Sequence, residues 1–313
     1  MARTTVPRTI VLGPQRRPVL GPVLAALGSD LPEGPVVTVT AGWRDREADD
    51  AELDTHLAGR SVNLLLWSRW LAVLEADPEF AAAQRTHQDV LDQLQELYLL
   101  QLDGALGAAA EIARHGSPEP VRTAVLSDAE AAVRLVDARH LARVTEAEAE
   151  FADKYRPGAR AAVARHRAEI FGVLSDAAAL AVAGGHVGVL MRLLRIFAVT
   201  PPPLVLAWSA GAMALTGRVL LFHDRAPHGP AHPEFAGAGL GLLPGCVFLP
   251  HPRRRLLLED PVRTAMLARR AAPDRCVVLD DGVKLDLTGA GLPAHARVLT
   301  VDGTVGRLGE EAG

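Results

Sequence analysis

The chain has 313 residues, of which 49% are hydrophobic and 22% charged, and its formal net charge at pH 7 is −4. This composition allows a large hydrophobic core and does not indicate a dedicated nucleic-acid-binding protein. No segment has the ~18 uninterrupted apolar residues of a membrane span, and the first residues lack the apolar stretch of a signal peptide. The two cysteines, Cys246 and Cys276, fit no metal-site spacing. We therefore expect a cytoplasmic protein with no nucleic-acid or membrane partner, no metal and no cofactor.

The first zone of the sequence, about residues 8–68, alternates short apolar runs with a helical pattern. Residues 9–12, 36–40 and 62–67 are predicted strands, and residues 19–27 are a predicted helix that Gly28 ends. This alternation favours parallel strands in an α/β sheet.

The middle zone, about residues 69–172, has few glycines or prolines and repeats apolar residues at helical spacing. Breaks are predicted at residues 116–118 and at Pro157-Gly158. Its histidines are scattered and form no set of metal ligands. We predict several long helices, inserted into or appended on the sheet domain. Their role, as a lid, a dimer interface or a partner site, stays open at this point.

The third zone, residues 173–313, returns to the α/β rhythm. Residues 178–183, 204–208, 247–249 and 276–279 are predicted strands, and Asp302-Gly303 is a predicted hairpin turn. Gly185, Ser209, His251 and Asp281 each follow one of these strands. Because ligands of open α/β sheets gather at the carboxyl ends of the strands, we expect these residues to meet at one edge of one sheet.

Ser209 lies in the sequence Ala207-Trp208-Ser209-Ala210-Gly211, between an apolar strand and a helical pattern. A serine in a tight turn between strand and helix exposes its hydroxyl as a nucleophile, and its neighbours must then be small. The N–H groups at the start of the helix can stabilise an oxyanion. A serine that merely caps the helix produces the same pattern.

A nucleophilic hydroxyl needs a base, and histidine is the usual choice because its pKa of about 6.5 lies near working pH. His251 follows an apolar run and has a proline on either side, which restricts the local backbone. The rivals His223, His228 and His232 lie in a loop rich in glycine and proline.

Four stretches of residues 173–287 resemble the peptidase E / cyanophycinase family of serine peptidases, which has a class I glutamine amidotransferase-like fold. The stretches are AVAGGHVGVLMRLL, AWSAGAMAL, GAGLGLLPGCVFLPHPRRRL and CVVLDDGVKL, with a weaker match in VVTVTAGWRDRE. The resemblance implies a three-layer, Rossmann-like (flavodoxin-like) parallel sheet. The helical middle zone is not part of the common pattern.

The resemblance also implies the roles of individual residues. Ser209 would be the nucleophile, His251 the general base, and the N–H groups of Gly185 and Ala210 the oxyanion hole. The acid that orients the histidine is ambiguous. Asp281 occupies the position of the cyanophycinase glutamate and is preferred here, although Asp280-Asp281-Gly282 is equally a simple turn. Asp224 occupies the position of the dipeptidase E aspartate and is the alternative.

Two departures from the family pattern put the substrate in doubt. His186 stands where the family commonly has asparagine after its two glycines, and Gly13-Pro14-Gln15 lacks one backbone N–H of the family's first loop. Gly184, His186 and Arg253 are candidate substrate-binding residues. Arginines 253–255 either recognise a substrate carboxylate through bidentate bonds or form a solvated turn.

The sequence therefore predicts one α/β domain over residues 1–313 with a helical insertion at about 69–172. We expect a serine-type hydrolase that cleaves a peptide or isopeptide amide in a small substrate through an acyl-enzyme on Ser209. A homodimer is one expectation for its assembly. The alternative is a catalytically inactive relative that binds or assembles through its insertion. A glutaminase is less favoured, because that chemistry uses a cysteine thiolate where this chain has Ser209.

Overall fold

The computed structural model describes residues 7–15, 18–222, 232–287 and 291–310. The strands in this part of the chain are β1 (Arg8–Leu12), β2 (Val36–Val39), β3 (Ser61–Asn63), β4 (Ala179–Val182), β5 (Leu204–Trp208), β6 (Arg218–Leu221), β7 (Glu234–Ala238), β8 (Cys246–Pro250), β9 (Arg275–Leu279), β10 (Lys284–Leu287), β11 (Arg297–Leu299) and β12 (Val305–Arg307). The helices are α1 (Leu20–Leu27), α2 (Ala51–His56), α3 (Leu66–Ala76), α4 (Pro78–Arg114), α5 (Glu119–Tyr155), α6 (Ala161–Ser175), α7 (Val187–Ile196), α8 (Ala210–Ala214), α9 (Pro252–Arg255) and α10 (Pro261–Ala271).

The main sheet has six strands in the order β10-β1-β5-β4-β2-β3, all parallel except the edge strand β10. Strands β2, β4 and β5 are buried at every position, as expected for a parallel sheet that is covered on both faces. Alternate side chains enter two separate apolar clusters, one with α1 and α2 and one with α3, α6, α7 and α8. The predicted α/β architecture with a mostly parallel sheet is confirmed.

The strand before His251 does not belong to this sheet, so the expectation of one common sheet was wrong. Strand β8 pairs in parallel with β9 in a second sheet of order β12-β11-β9-β8, and β6 and β7 form a separate antiparallel pair. The chain then turns from β9 into β10, which joins the main sheet beside β1. Strand pairing is set by contacts distant in sequence, which an apolar run does not encode. The predicted hairpin at Asp302-Gly303 is confirmed by β11 and β12.

The predicted strand at residues 62–67 is mostly wrong. Strand β3 stops at Asn63, Leu65 is left-handed (φ 49°, ψ 48°), and helix α3 begins at Leu66. The carboxylate of Glu47 accepts hydrogen bonds from the N–H groups of Trp67 and Ser68, each at 2.9 Å. A residue about twenty positions away therefore caps the helix, and tertiary structure overrides the strand-like run.

The predicted long helical insertion is confirmed, with α4 and α5 as its main helices. Helices α4 and α5 have 37 residues each and are joined by four residues, so they form a long antiparallel hairpin. The breaks lie where glycine and proline predict them, at residues 115–118 and 156–160. Among the described helices, none combines the length and the apolar character needed to cross a membrane.

Candidate active site

Ser209 occupies a strained turn between β5 and α8. Its backbone has φ 49° and ψ −123°, a conformation that residues other than glycine rarely adopt. Gly211, two residues after Ser209, must be glycine, because a Cβ at this position would overlap the backbone carbonyl oxygens of Val182 and Ala183. The predicted strand-turn-helix junction is confirmed.

The hydroxyl of Ser209 does not cap the helix that follows it. The side chain makes no capping hydrogen bond to α8, and no hydrogen bond joins its oxygen to any described residue. The capping explanation of this serine is therefore wrong. Backbone strain of about 1–3 kcal/mol is retained here, and the hydroxyl forms no hydrogen bond with a described residue that would offset it. Such strain is typical of functional sites.

The loop after β4 lies directly against Ser209. Strands β4 and β5 are neighbours in the sheet, and a Cβ on Gly184 would lie 2.9 Å from the Cβ of Ser209. Gly185 has φ +116°, and the N–H of His186 donates to the carbonyl oxygen of Gly42 at 2.8 Å. The loops after β2, β4 and β5 therefore meet at one edge of the main sheet, where the sequence predicted the site.

Two backbone donors at this edge have no acceptor in the described part of the chain. They are the N–H of Gly185, in the loop after β4, and the N–H of Ala210, the first residue of α8. Donors that are already oriented and unpaired are what an oxyanion hole requires.

His251 lies at the end of β8, half-buried and in a left-handed conformation (φ 56°, ψ 47°). Helix α8, which begins directly after Ser209, packs against β8, which ends directly before His251. The two residues therefore flank elements that are in contact, although their strands lie in different sheets. The Ser209 hydroxyl and the His251 ring are not hydrogen-bonded to each other.

Asp281 is exposed in the turn after β9. The β8–β9 register pairs Pro250 with Leu279, so the next level pairs His251 with Asp280 rather than with Asp281. The Asp280 carboxylate faces the Arg253 side chain at 3.7 Å and also pairs with Arg297. The alternative acid, Asp224, lies outside the described residues, as do His223 and His228.

The turn after β9 connects the two sheets at this edge. The N–H of Gly13, at the end of β1, donates to the carbonyl oxygen of Val283 at 2.9 Å. A Cβ on Gly13 would overlap the backbone of Asp280, so the close approach requires glycine. Because Leu12 pairs with Trp208 in the sheet, the ends of β1, β5, β8 and β9 converge around Ser209.

His186 is the N-cap of α7, and its Nδ1 accepts a hydrogen bond from the N–H of Val189 at 3.3 Å. Burial lowers the pKa of His186, and the positive charges of Arg44 and Arg192 lower it further. The ring is therefore neutral at pH 7, and because Nδ1 is the acceptor, Nε2 carries the proton. This N–H is a further donor next to the Gly184-Gly185 loop.

A cleft of about 420 Å³ opens beside Gly185 and Trp208. Its walls include the apolar side chains of Leu20, Leu53 and Trp43. Sequence reasoning missed Trp43 as a lining residue, although it lies in the segment that resembles the family's second strand. No cluster of three or more His, Cys, Asp or Glu side chains suited to a metal occurs in the described ranges.

Gln15 compensates for the proline in the loop after β1. Its side-chain amide donates to the carbonyl oxygen of Gly13 at 2.8 Å and accepts from the N–H of Val19 at 3.0 Å. The side chain thus bridges the loop and the start of α1, and it also lines the cleft.

Comparison with known proteins gives a distant structural similarity. No known family model matches the sequence, and no curated protein matches it. A solved structure described as the crystal structure of a peptidase from an acI-B1 Actinobacterium is similar, with 12% identity and a TM-score of 0.47. The alignment covers 95% of this chain and 91% of that chain.

Proposed function

We propose that this chain is a serine hydrolase of the peptidase E / cyanophycinase type that cleaves an amide bond through an acyl-enzyme on Ser209. The observation that carries the proposal is the strained, uncapped Ser209 at the β5–α8 turn, with the unpaired N–H groups of Gly185 and Ala210 beside it. A helix cap does not explain this arrangement, whereas acyl transfer uses every part of it.

In the proposed reaction, His251 takes the proton of the Ser209 hydroxyl as the oxygen attacks the substrate carbonyl carbon. The N–H groups of Gly185 and Ala210 hold the oxyanion of the tetrahedral intermediate. His251 then gives the proton to the leaving amine, and the amide C–N bond breaks. A water molecule, deprotonated by His251, attacks the ester and regenerates the serine.

His251 needs an acid that holds its ring orientation and stabilises its charged form. Asp281 and Asp224 remain the two candidates for this role. The exposure of Asp281 in its turn weighs against it, because such an acid acts best when water is excluded. We therefore expect Asp224→Asn to lower kcat by about 10⁴-fold, and Asp281→Asn to lower it far less.

The substrate we propose is a small peptide or related amide that binds in the cleft beside Gly185. Trp43 and Leu53 offer apolar surface, and the Nε2–H of His186 is a donor for a substrate carbonyl or carboxylate. Arg253 is 85% exposed and lies near Asp280, so we assign it no more than a role at the edge of the site.

Labelling with a fluorophosphonate probe tests the proposal. We expect a covalent adduct on the wild-type chain, none on Ser209→Ala, and an unchanged adduct on the control Ser175→Ala, whose hydroxyl donates to Phe171 at the end of α6. Mass spectrometry of the digested protein should place the adduct on Ser209. An adduct that survives Ser209→Ala would overturn the assignment of the nucleophile.

The second candidate function is that of a catalytically inactive relative that binds or assembles. It is favoured by the missing hydrogen bond between Ser209 and His251, although such bonds are often long in enzymes without substrate. A folded wild-type chain that gives no adduct and cleaves no member of a peptide library would establish this candidate instead.

A further inference from the structure

The outer face of the α4–α5 hairpin carries large apolar side chains that the chain itself leaves uncovered. On α4, Val90, Leu97 and Leu100 are 42%, 60% and 71% exposed, and on α5 Leu135 is 49% exposed. The spacing of seven and three residues places the α4 members on one side of the helix, roughly opposite the buried Tyr98. We call these four residues, with the charged residues beside them, the hairpin face.

Two glycines also lie on the exposed side of α4. Gly104 and Gly107 are exposed, and a Cβ on either would meet nothing within 4 Å. Glycine inside a helix costs about 1 kcal/mol relative to alanine, and no contact with a described residue requires it here. The absence of side chains at these two positions would allow a second helix to approach the α4 backbone closely.

The charges of the hairpin face are segregated between its two helices. In the middle of the hairpin, the exposed acids Asp89, Asp92, Glu96 and Asp103 lie on α4, and the exposed bases Arg139 and Arg143 lie on α5. None of these six side chains forms an ion pair with a described residue, although Asp92 and Asp103 lie within electrostatic range of Arg192 and His232. In this part of the hairpin, one helix therefore presents acids and its neighbour presents bases.

The level of these charges along the hairpin follows from one buried contact. The Tyr98 hydroxyl on α4 donates to Asp137 on α5 at 2.7 Å, so these residues lie at the same height. Counting away from this pair along antiparallel helices places Glu96 level with Arg139 and Asp92 level with Arg143.

We propose that the hairpin face is the interface of a homodimer whose two-fold axis runs along the hairpin, so that α4 of each copy lies over α5 of the other. This symmetry keeps the height of every residue and sets Glu96 of one copy against Arg139 of the other. A two-fold axis across the hairpin would instead set α4 on α4, acid against acid. Charge complementarity thus selects one of the two symmetric arrangements.

The hairpin is large enough for such an interface. A helix of 37 residues is about 55 Å long and about 10 Å wide, so two side by side present about 1,100 Å². A standard stable interface buries about 800 Å² on each partner. Four helices would then pack together, with Leu97, Leu100 and Leu135 in the middle.

Sedimentation over a wide range of concentrations tests the role of the apolar residues. We expect the wild-type chain to dimerise and Leu100→Glu to raise the dissociation constant about tenfold or more. The control is Val262→Glu, on α10, which starts from the same 71% exposure and should leave the dissociation constant unchanged. A monomer at every concentration, or equal effects of the two variants, would overturn the proposal.

Mixing two charge-reversal variants tests whether the charges meet between copies. Glu96→Arg alone and Arg139→Glu alone each set like charges together twice in a homodimer, so each should dimerise about tenfold more weakly. A mixture of the two places opposite charges at both contacts, so we expect heterodimers of wild-type affinity. Since both side chains are exposed, folding should be unaffected, which circular dichroism can check. A mixture that stays as weak as its components would contradict the arrangement.

Discussion

At the scale of single residues, the candidate site is marked by unusual backbone conformations. Ser209 and Arg44 share nearly the same pair of angles, with φ 49° and 56° and ψ −123° and −120°, and His251 is left-handed. Ser209 and His251 directly follow β5 and β8, and Arg44 lies in the segment after β2 at the same edge of the molecule. Each such residue costs about 1–3 kcal/mol, which the surrounding packing must offset.

Replacing Ser209 by glycine should therefore stabilise the protein while it removes the proposed nucleophile. Glycine adopts φ 49° without strain, and the serine side chain forms no hydrogen bond with a described residue that would be lost. We expect Ser209→Gly to raise the free energy of unfolding by about 1 kcal/mol in urea titration. A loss of stability similar to that of a core substitution would show that Ser209 is mainly structural.

His140 makes the stability depend on pH. Its ring is buried, stacks on Tyr98 with 4.0 Å between centroids, and its pKa falls to about 4, mainly through burial. The unfolded chain therefore binds one more proton between pH 4 and 6.5, so this contribution to stability is complete above pH 6.5 and is lost as the pH falls toward 4. The slope reaches about 1.4 kcal/mol per pH unit.

The variant His140→Phe keeps the aromatic stack and removes the titrating group. We expect the unfolding free energy of this variant to fall less steeply between pH 6.5 and 4 than that of the wild type. The exposed His115→Gln serves as control and should follow the wild-type curve. Parallel curves for His140→Phe and wild type would contradict the assignment.

At the scale of elements, a buried ion pair joins the hairpin to the rest of the chain. Arg270 on α10 donates to Asp137 on α5 at 2.8 and 2.9 Å, and both side chains are at most 3% exposed. Arg270 also donates to the carbonyl oxygen of Pro233, and the N–H of Phe235 donates to the Tyr98 hydroxyl. The network therefore fixes α4, α5, α10 and β7 relative to one another.

Removing one partner of this pair should destabilise the protein strongly. Asp137→Ala leaves the Arg270 charge buried and uncompensated, which costs about 3–5 kcal/mol, whereas Asp137→Leu with Arg270→Met should recover much of the loss. The exposed pair Arg46–Asp49 is the control, and Asp49→Ala should cost less than about 1 kcal/mol in the same urea titration. Equal losses at the two pairs would refute the assignment.

Sequence analysis found the features that are local and missed those that are not. Ser209 was identifiable because strand, turn and helix are adjacent in the chain and the small neighbours are visible. The start of α3 was missed because Glu47 caps it from outside the segment. The membership of β8 in a second sheet and the Asp137–Arg270 pair, 133 residues apart, rest on contacts that no local pattern records.

At the scale of the whole molecule, the main sheet is buried on both faces whereas its β3 edge is thin. Strand β4 lies between β2 and β5 and is buried throughout, but β3 has three residues and Val62 is 39% exposed. Local opening is easiest where few apolar contacts must be broken.

Hydrogen exchange followed by mass spectrometry should reveal this difference. Amides of β4 and β5 should exchange only through global unfolding, and those of β3 should exchange well before them at the same pH. Leu64 directly follows β3, and its N–H donates to the carbonyl oxygen of Thr38 on β2. This amide should exchange at a rate similar to those of the edge strand. Protection of β3 equal to that of β4 would contradict this ranking.

The serine and the histidine of the candidate site follow strands of two different sheets. The turn from β9 to β10 connects these sheets beside Gly13. A nucleophile and its base that lie on different sheets lose their alignment when one sheet shifts against the other by a fraction of an ångström, before the core that both sheets share melts. We therefore expect warming to abolish the proposed hydrolase activity reversibly at temperatures where circular dichroism still shows the native fold.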